Sequence, residues 1–271
     1  MKNQRDTYRL GLRLVLWGLL ITRGVDASAQ TYRPAPARLL SRQDMRSLAE
    51  LIAPHVVTIS RQGIARRGVR TLSSLAQQGG GLKLTSRLVV TADQWLMPSH
   101  HERGVRLELS CQRPPSADRS RRPIFGEIVE RSPEDGWVLI RSTRALHCGA
   151  DRRASSLIDA PDLSAEEDAK TPEPHLYASQ RLYALEVAPL LLSPLTIQGE
   201  ATGALRFYWL VTGRLRPGIP LFDRHGRWRT ISAGINRAAL DASLSTSQSL
   251  ALPFDALQNA IKAARRLRAE P

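Results

Sequence analysis

Cysteine, methionine, lysine and aromatic residues are all scarce in this chain. Its 271 residues include two cysteines, three methionines and 5% aromatic residues, and only four of its 39 cations are lysines. Cys111 and Cys148 are too far apart in sequence for the CxxC spacing of redox and zinc sites. No zinc-finger, RNA-recognition or helix-turn-helix pattern accompanies the positive charge, so the chain does not read as a nucleic-acid-binding module.

Signatures of cofactor chemistry are also missing. The sequence contains no HExxH, P-loop, GxGxxG or paired-carboxylate signature. His100 and His101 are adjacent, but two neighbouring histidines without a third placed ligand are more typical of an exposed loop than of a metal site. We therefore expect no metal and no organic cofactor.

Long apolar runs are absent, and the N-terminus carries a short one. Four basic residues precede the eight-residue apolar run from Leu14 to Ile21. The small residues Ala27-Ser28-Ala29 follow it. A bilayer span needs roughly 20 apolar residues, whereas this pattern is typical of a secretory signal peptide cleaved after Ala29. We expect a periplasmic or secreted protein without stable membrane insertion. An uncleaved membrane anchor is the alternative.

Export changes how the cysteines and the charge are interpreted. In an oxidising compartment Cys111 and Cys148 are most simply a disulfide, and two buried free thiols are the alternative. Loss of residues 1–29 lowers the formal charge from +14 to +11. Arginines cluster at 61–70, 113–122 and 265–268. They suit either a polyanion-binding surface or, more simply, solvated loops rich in arginine.

The pattern of apolar residues predicts an all-β domain flanked by helices. Ser41 with Asp44 three residues on begins a helix that Pro54 ends, and a second amphipathic helix covers 254–267. An acidic stretch at 149–174 separates two sets of short strands. The first set comprises 56–60, 82–84, 88–91, 105–111, 124–130 and 137–141, and the second set 181–187, 195–197, 204–211 and 227–235.

Six fragments, in this order, carry a family resemblance: Ala53-Pro54-His55-Val56-Val57, Gly79-Gly80-Gly81-Leu82, Ser132-Pro133-Glu134-Asp135-Gly136-Trp137-Val138-Leu139-Ile140, Tyr183-Ala184-Leu185, Pro220-Leu221-Phe222-Asp223 with Gly226, and Leu250-Ala251-Leu252-Pro253. Together they resemble the protease domain of HtrA/DegP-type serine proteases, a branch of the trypsin-like superfamily. The resemblance implies two six-stranded β-barrels with a short N-terminal and a C-terminal helix.

The resemblance also implies domain limits. After a signal peptide at 1–29 and a spacer at 30–44, we expect one trypsin-like domain at 45–268. Its first barrel is expected at about 55–148, the connector at about 149–174, the second barrel at about 175–253 and the terminal helix at 254–267. The PDZ domain that commonly follows in this family is not expected.

The residues that match the family's catalytic triad are substituted. Gln94 follows Thr91-Ala92-Asp93 where the family has its histidine, and an amide cannot accept a proton near neutral pH. Gly136 stands where the family has its aspartate. Asp135 is one residue away, and on a strand such a slip turns a side chain to the other face.

The loop that matches the nucleophile and oxyanion hole is altered as well. It reads Leu215-Arg216-Pro217-Gly218-Ile219, and Pro217 occupies the serine position. Proline brings neither a hydroxyl nor a backbone N–H. Leu215 and Ile219 stand where the resemblance implies glycine, so we expect neither a nucleophile nor a working oxyanion hole.

These substitutions predict a pseudoprotease that acts as a peptide- or protein-binding module. One alternative is an active serine hydrolase with a rearranged site, for which the remaining bases would be His100, His101, His147, His175 and His225. The second alternative is an arginine-rich polyanion-binding envelope protein. The identity of the partner does not follow from the sequence.

Overall fold

The computed structural model describes residues 40–65, 77–98, 102–111, 123–148, 176, 178–187, 190–202, 207–234 and 247–269. All of them belong to one compact unit, Arg38–Pro271. The predicted signal peptide and the acidic connector at 149–174 lie outside the described residues. Within the described residues, no helix is both long and apolar enough to span a membrane.

Six antiparallel strands close into a first barrel in the order β1-β2-β3-β6-β5-β4. Strand β3 is buried along its whole length. Val89 packs in the core of this barrel, whereas Leu88 and Val90 pack in a cluster shared with the second barrel. The strands are β1 Val56–Ala65, β2 Gln77–Lys83, β3 Leu88–Ala92, β4 Glu102–Cys111, β5 Ile124–Ser132 and β6 Trp137–Ser142.

A second set of six antiparallel strands closes in the order β10-β11-β12-β9-β8-β7. Two closed six-stranded barrels confirm the expected trypsin-like fold class. The strands are β7 Arg181–Val187, β8 Leu190–Thr202, β9 Phe207–Thr212, β10 Pro220–Phe222, β11 Trp228–Gly234 and β12 Gln248–Ala251.

The strand pattern of the second barrel was read incompletely from the sequence. Strand β10 was not among the predicted segments, because a run of three residues is too short to show alternation. Strand β12 shows no alternation either, but it overlaps Leu250-Ala251-Leu252-Pro253, which the family resemblance implied to be the closing strand before the terminal helix. Strand β8 is 13 residues long and extends well beyond the predicted 195–197. It forms a hairpin with β7, in which Val187 pairs with Leu190.

Two helices flank the barrels as predicted. Helix α1, Arg42–Ile52, starts with a capping box in which the Asp44 N–H donates to Ser41 Oγ over 3.1 Å and the Ser41 N–H donates to Asp44 Oδ2 over 3.2 Å. A 3-10 turn, Ala53–His55, connects α1 to β1. Helix α2, Phe254–Ala269, buries the predicted apolar face that includes Leu257 and Ile261.

The largest hydrophobic cluster lies between the barrels and not inside either one. It combines Ile52 of α1, Leu139 of β6, Phe222 of β10 and Leu257 of α2, each at most 1% exposed. Each barrel also has its own smaller core. The shared cluster buries apolar surface from both barrels and both helices, so it fixes the barrels against each other.

The two cysteines form the predicted disulfide. Cys111 at the end of β4 is bonded to Cys148, with the two Cα atoms 4.7 Å apart. Cys148 is buried in the core of the first barrel beside Leu146. The bond therefore ties the chain that follows β6 to β4, and only β5 lies between these two strands.

A buried ion pair joins β1 to β4. The Arg61 guanidinium donates to both carboxylate oxygens of Glu102 and also to the Met97 carbonyl over 2.8 Å. The side chains of Arg61 and Glu102 are only 6% and 8% exposed, respectively. A Cβ at Gly63 would lie 1.7 Å from Glu102 Oε1, so glycine makes room for the carboxylate.

This pair generates a stability prediction. Glu102→Gln should destabilise the protein by about 3–5 kcal/mol, because it leaves the Arg61 charge buried without a counter-charge. The exposed pair Arg46 and Glu50 on α1 is the matched control, and Glu50→Gln should cost at most about 0.5 kcal/mol. Urea unfolding followed by circular dichroism measures both. Equal costs for the two variants would contradict the assignment.

Candidate functional site

The segment that follows β3 lies directly beside the start of β6. Ala92 pairs with Trp137, and the Asp93 N–H donates to the Gly136 carbonyl over 2.8 Å. Gln94 begins the next 3-10 turn, Gln94–Leu96. The structure thus brings the first two substituted positions, Gln94 and Gly136, to one edge of the first barrel.

The loop between β9 and β10 reaches this edge from the second barrel. The Gly80 N–H donates to the Pro217 carbonyl over 2.8 Å. Thr91 Oγ1 in turn donates to the Gly80 carbonyl over 2.7 Å. Pro217 is therefore linked to Gln94 through Gly80 and the last residues of β3. Gln94 and Pro217 thus lie at the seam between the barrels, and Gly136 is bonded to Asp93, the residue before Gln94.

Glycines at this seam permit the close approach. Gly218 has φ +77°, and a Cβ there would lie 2.0 Å from Thr91 Oγ1 and 2.1 Å from the Gly80 carbonyl. A Cβ at Gly79 would lie 2.6 Å from the Pro217 carbonyl and from the Trp95 ring. Side chains at these positions would push the loop off strand β2.

Gln94 bridges the two barrels. Its amide Nε2 donates to the Tyr208 hydroxyl over 2.5 Å. Tyr208 lies on β9 and is only 2% exposed. The side chain at the family's histidine position is therefore held by the second barrel, an arrangement that sequence reasoning did not anticipate because the two residues are 114 positions apart.

Asp135 is engaged with the terminal helix. Its Oδ2 accepts hydrogen bonds from Ser132 Oγ over 3.0 Å, Trp137 Nε1 over 3.2 Å and Asn259 Nδ2 over 3.1 Å. The bond from Asn259 fastens α2 to the turn before β6. Gly136 has φ +82°, so the chain turns at this point in a conformation that favours glycine.

Two N–H groups of the loop at 215–219 are hydrogen-bonded to residues of the second barrel. The Leu215 N–H donates to Ser249 Oγ over 2.8 Å, and the Gly218 N–H donates to the Ser232 carbonyl over 2.6 Å. Leu215 and Ile219 are each 5% exposed and pack in the core of this barrel. Arg216 is exposed, and its Nη1 donates to Gln78 Oε1 over 3.1 Å.

A second arginine pair positions the Gln94 segment. Arg131 of β5 donates to Asp93 Oδ1 from Nε over 2.9 Å and from Nη2 over 2.5 Å. The Asp93 side chain is 4% exposed and that of Arg131 31%. Sequence reasoning missed this pair because its members are 38 residues apart and neither belongs to a recognised motif.

The predicted candidate bases are scattered or lie outside the described residues. His100, His101 and His175 belong to the latter group. His147 is exposed. His225 is exposed in a turn where Asp223 Oδ1 accepts the His225 N–H over 2.8 Å, as expected for a turn residue. The described residues contain no group of three or more His, Cys, Asp or Glu side chains that could hold a metal ion.

His55 is the buried histidine that sequence reasoning did not consider as a base. Burial, with a smaller contribution from the Lys83 charge, lowers the pKa of His55 from 6.5 to about 4. Burial also lowers the pKa of Lys83. His55 Nδ1 is inaccessible to solvent and has no hydrogen-bond partner. No hydroxyl of the described residues hydrogen-bonds this nitrogen.

Comparisons with known proteins identify the fold and no more. No protein-family model matches this chain. No curated protein matches its sequence. The active form of the Rv3671c protease from M. tuberculosis superimposes with a TM-score of 0.52 and 10% identity, covering 84% of this chain and 93% of that one. A serine-to-alanine mutant of the same protein, in an inactive form, gives 0.50 and 11%, covering 88% and 98%.

This chain has the trypsin-like double-barrel fold. The barrel topology and the two superpositions agree on this assignment. The Rv3671c structures are described as those of a protease, and at this identity the similarity extends to the fold and not to the activity. What the site does must therefore be argued from its own residues.

The His55 environment generates a pH prediction. The folded protein holds the pKa of His55 near 4, while the unfolded chain has the ordinary value of 6.5. The unfolded state therefore binds the proton more readily, and stability should fall by up to about 3 kcal/mol as the pH drops from 6.5 through 4. Urea unfolding at several pH values measures this loss.

Two variants isolate the contribution of His55 from that of the carboxylates. His55→Gln should remove its share of the pH dependence, whereas His225→Gln, at an exposed turn, should leave the profile as in the parent protein. An unchanged profile in His55→Gln would show that the histidine is not held neutral by the fold.

Proposed function

We propose that this chain is a catalytically inactive relative of HtrA-type serine proteases that binds a protein or peptide partner through its inherited cleft. The observation that carries the proposal is the committed backbone of the loop at 215–219. The Leu215 N–H is bonded to Ser249 and Pro217 has no N–H to donate. A hydrolase of this fold needs such donors for the developing oxyanion.

The acid-base machinery is missing at the same seam. Gln94 stands next to the Asp93 to Gly136 hydrogen bond, and its amide is bonded to Tyr208. An amide has no proton-accepting nitrogen at neutral pH, so it cannot activate a nucleophile. Asp135 is bonded to Ser132, Trp137 and Asn259, and so does not replace the orienting carboxylate.

No rearranged nucleophile pair is found among the described residues. Of their three histidines, His55 has a solvent-inaccessible Nδ1 without a partner, His147 is exposed, and His225 Nε2 accepts a bond from Arg224 over 2.9 Å. None of them hydrogen-bonds a serine or threonine hydroxyl. This arrangement favours a binding protein over the alternative of a rearranged hydrolase.

What the fold retains is the seam itself. The loop at 215–219 still packs on the glycines of β2, and exposed Arg216 is bonded to Gln78 across the seam. The barrels are held by a shared apolar cluster, so the seam is a fixed surface that needs no ordering on binding. Together with the predicted export, this supports an extracytoplasmic partner-binding role.

Absence of peptidase activity is the first test of the proposal. The purified protein should hydrolyse casein and unfolded polypeptides no faster than background, and a fluorophosphonate probe should label none of its serines. Labelling of one serine, lost on mutation of that serine together with any hydrolysis, would support the rearranged-hydrolase alternative.

Partial restoration of the family residues is a second test. Gln94→His, Gly136→Asp and Pro217→Ser together should give little peptide turnover, because the Leu215 N–H remains bonded to Ser249. A badly formed oxyanion hole costs on the order of 10²–10³ in turnover. Adding Leu215→Gly and Ile219→Gly should raise the turnover per folded molecule above that of the triple variant.

The structure adds a cost that the sequence did not reveal. Leu215 and Ile219 are core residues, so their removal should destabilise the protein by several kcal/mol, roughly 2–5 kcal/mol for each large-to-small change. Turnover must therefore be divided by the folded fraction from thermal unfolding. The control is the double variant Leu215→Gly and Ile219→Gly alone, which should remain inactive. If the triple variant already behaves as a competent protease, the loop was never disabled.

A further inference from the structure

Three arginines are gathered on one edge of the first barrel. Arg87 lies in the turn before β3, Arg141 on β6 and Arg144 in the turn after β6. The buried Ser142 joins them: its N–H donates to the Arg87 carbonyl over 2.8 Å, and its Oγ bonds the Arg144 carbonyl over 2.7 Å. Leu88 pairs with Arg141 across β3 and β6. The fold thus brings together cations from two distant segments.

Among the residues that the structure describes, these three guanidiniums have no side-chain partner. All three residues are exposed, and none of their side chains forms a hydrogen bond or an ion pair with the described residues. Five other described arginines are paired with carboxylates: Arg46 with Glu50, Arg61 with Glu102, Arg131 with Asp93, Arg229 with Asp223 and Arg266 with Glu130.

An exposed aromatic ring borders the three arginines. The Thr143 N–H donates to the Phe125 carbonyl over 2.9 Å, which places β5 next to the turn after β6. Phe125 is 37% exposed, one of few large apolar side chains at the described surface. The Arg106 guanidinium lies 5.6 Å from the centre of its ring. We name arginines 87, 106, 141 and 144 with Phe125 the basic aromatic face.

Two acidic residues lie on the same strands. Glu108 pairs with Phe125 across β4 and β5, and Glu127 pairs with Arg141 across β5 and β6. Neither carboxylate forms an ion pair with an arginine of this face among the described residues. Four cations against two anions leave the face positive.

We propose that the basic aromatic face docks on anionic phospholipid headgroups. Guanidinium groups bind phosphate oxygens in a fork, and basic side chains beside an exposed aromatic ring suit the headgroup region of a membrane. The phosphate chemistry is shared with soluble phosphates, but Phe125 gives an apolar contact that only the lipid surface uses. The predicted signal peptide makes a membrane the polyanion that this chain meets, and not nucleic acid.

Vesicle binding by the full chain tests the proposal. Arg87→Gln, Arg141→Gln and Arg144→Gln together should weaken binding to phosphatidylglycerol-containing vesicles by about 100-fold, at about fivefold per arginine. A matched triple variant, Arg42→Gln, Arg227→Gln and Arg265→Gln, removes the same charge from exposed unpaired positions elsewhere. It should weaken binding only a few-fold. Replacing the face arginines by lysine keeps the charge but removes the fork, so it should weaken binding less than the glutamine variant does.

The remaining arms separate lipid from other ligands. Phosphatidylcholine vesicles measure the contribution of the apolar N-terminal segment, which all variants share. Equal losses in the two triple variants, or no loss in either, would overturn the proposal. It would also fail if glycerol phosphate at the same phosphate concentration displaced the vesicles, or if duplex DNA or an acidic peptide bound this face more tightly than the vesicles. Thermal unfolding confirms that each variant is folded.

Discussion

The close approach of two backbones at the seam between the barrels constrains the rest of this structure. Strand β2 and the loop before β10 are joined by the Gly80 to Pro217 hydrogen bond, and Gly218 fits against Thr91 only because it has no side chain. The same loop carries Leu215 and Ile219 into the core of the second barrel. The seam is thus fixed by backbone contact on one side and apolar burial on the other.

Because of this constraint, the residues at the three positions that the sequence matched to the triad each have a structural role. Gln94 bonds Tyr208 across the seam, Pro217 offers its carbonyl to Gly80, and Gly136 permits the turn with positive φ that leads into β6. Exchange of Gln94 would remove its side-chain bond to Tyr208, whereas the Pro217 carbonyl belongs to the backbone and would remain after a substitution.

Charge is distributed by the same logic. A carboxylate accompanies each of three buried or partly buried arginines: Glu102 accompanies Arg61, Asp93 accompanies Arg131 and Asp223 accompanies Arg229. An unpaired buried charge would lower the free energy of unfolding by roughly several kcal/mol through its desolvation, so folding requires such pairs. Exposed arginines such as Arg87, Arg141 and Arg144 carry no such requirement.

The sequence by itself determined the local features of this protein. The capping box at Ser41, the amphipathic face of α2, most strands of the first barrel and the disulfide were readable, since each follows from residue type and short spacing or from cysteine number. The order of the six fragments also pointed to the double barrel. Sequence did not show β10, which is too short for a pattern, nor the core positions of Leu215 and Ile219. It could not show the bonds of Gln94 to Tyr208 or of Arg61 to Glu102, because these pairs are distant in the chain. Only barrel closure brings such partners together, and burial then makes each contact obligatory.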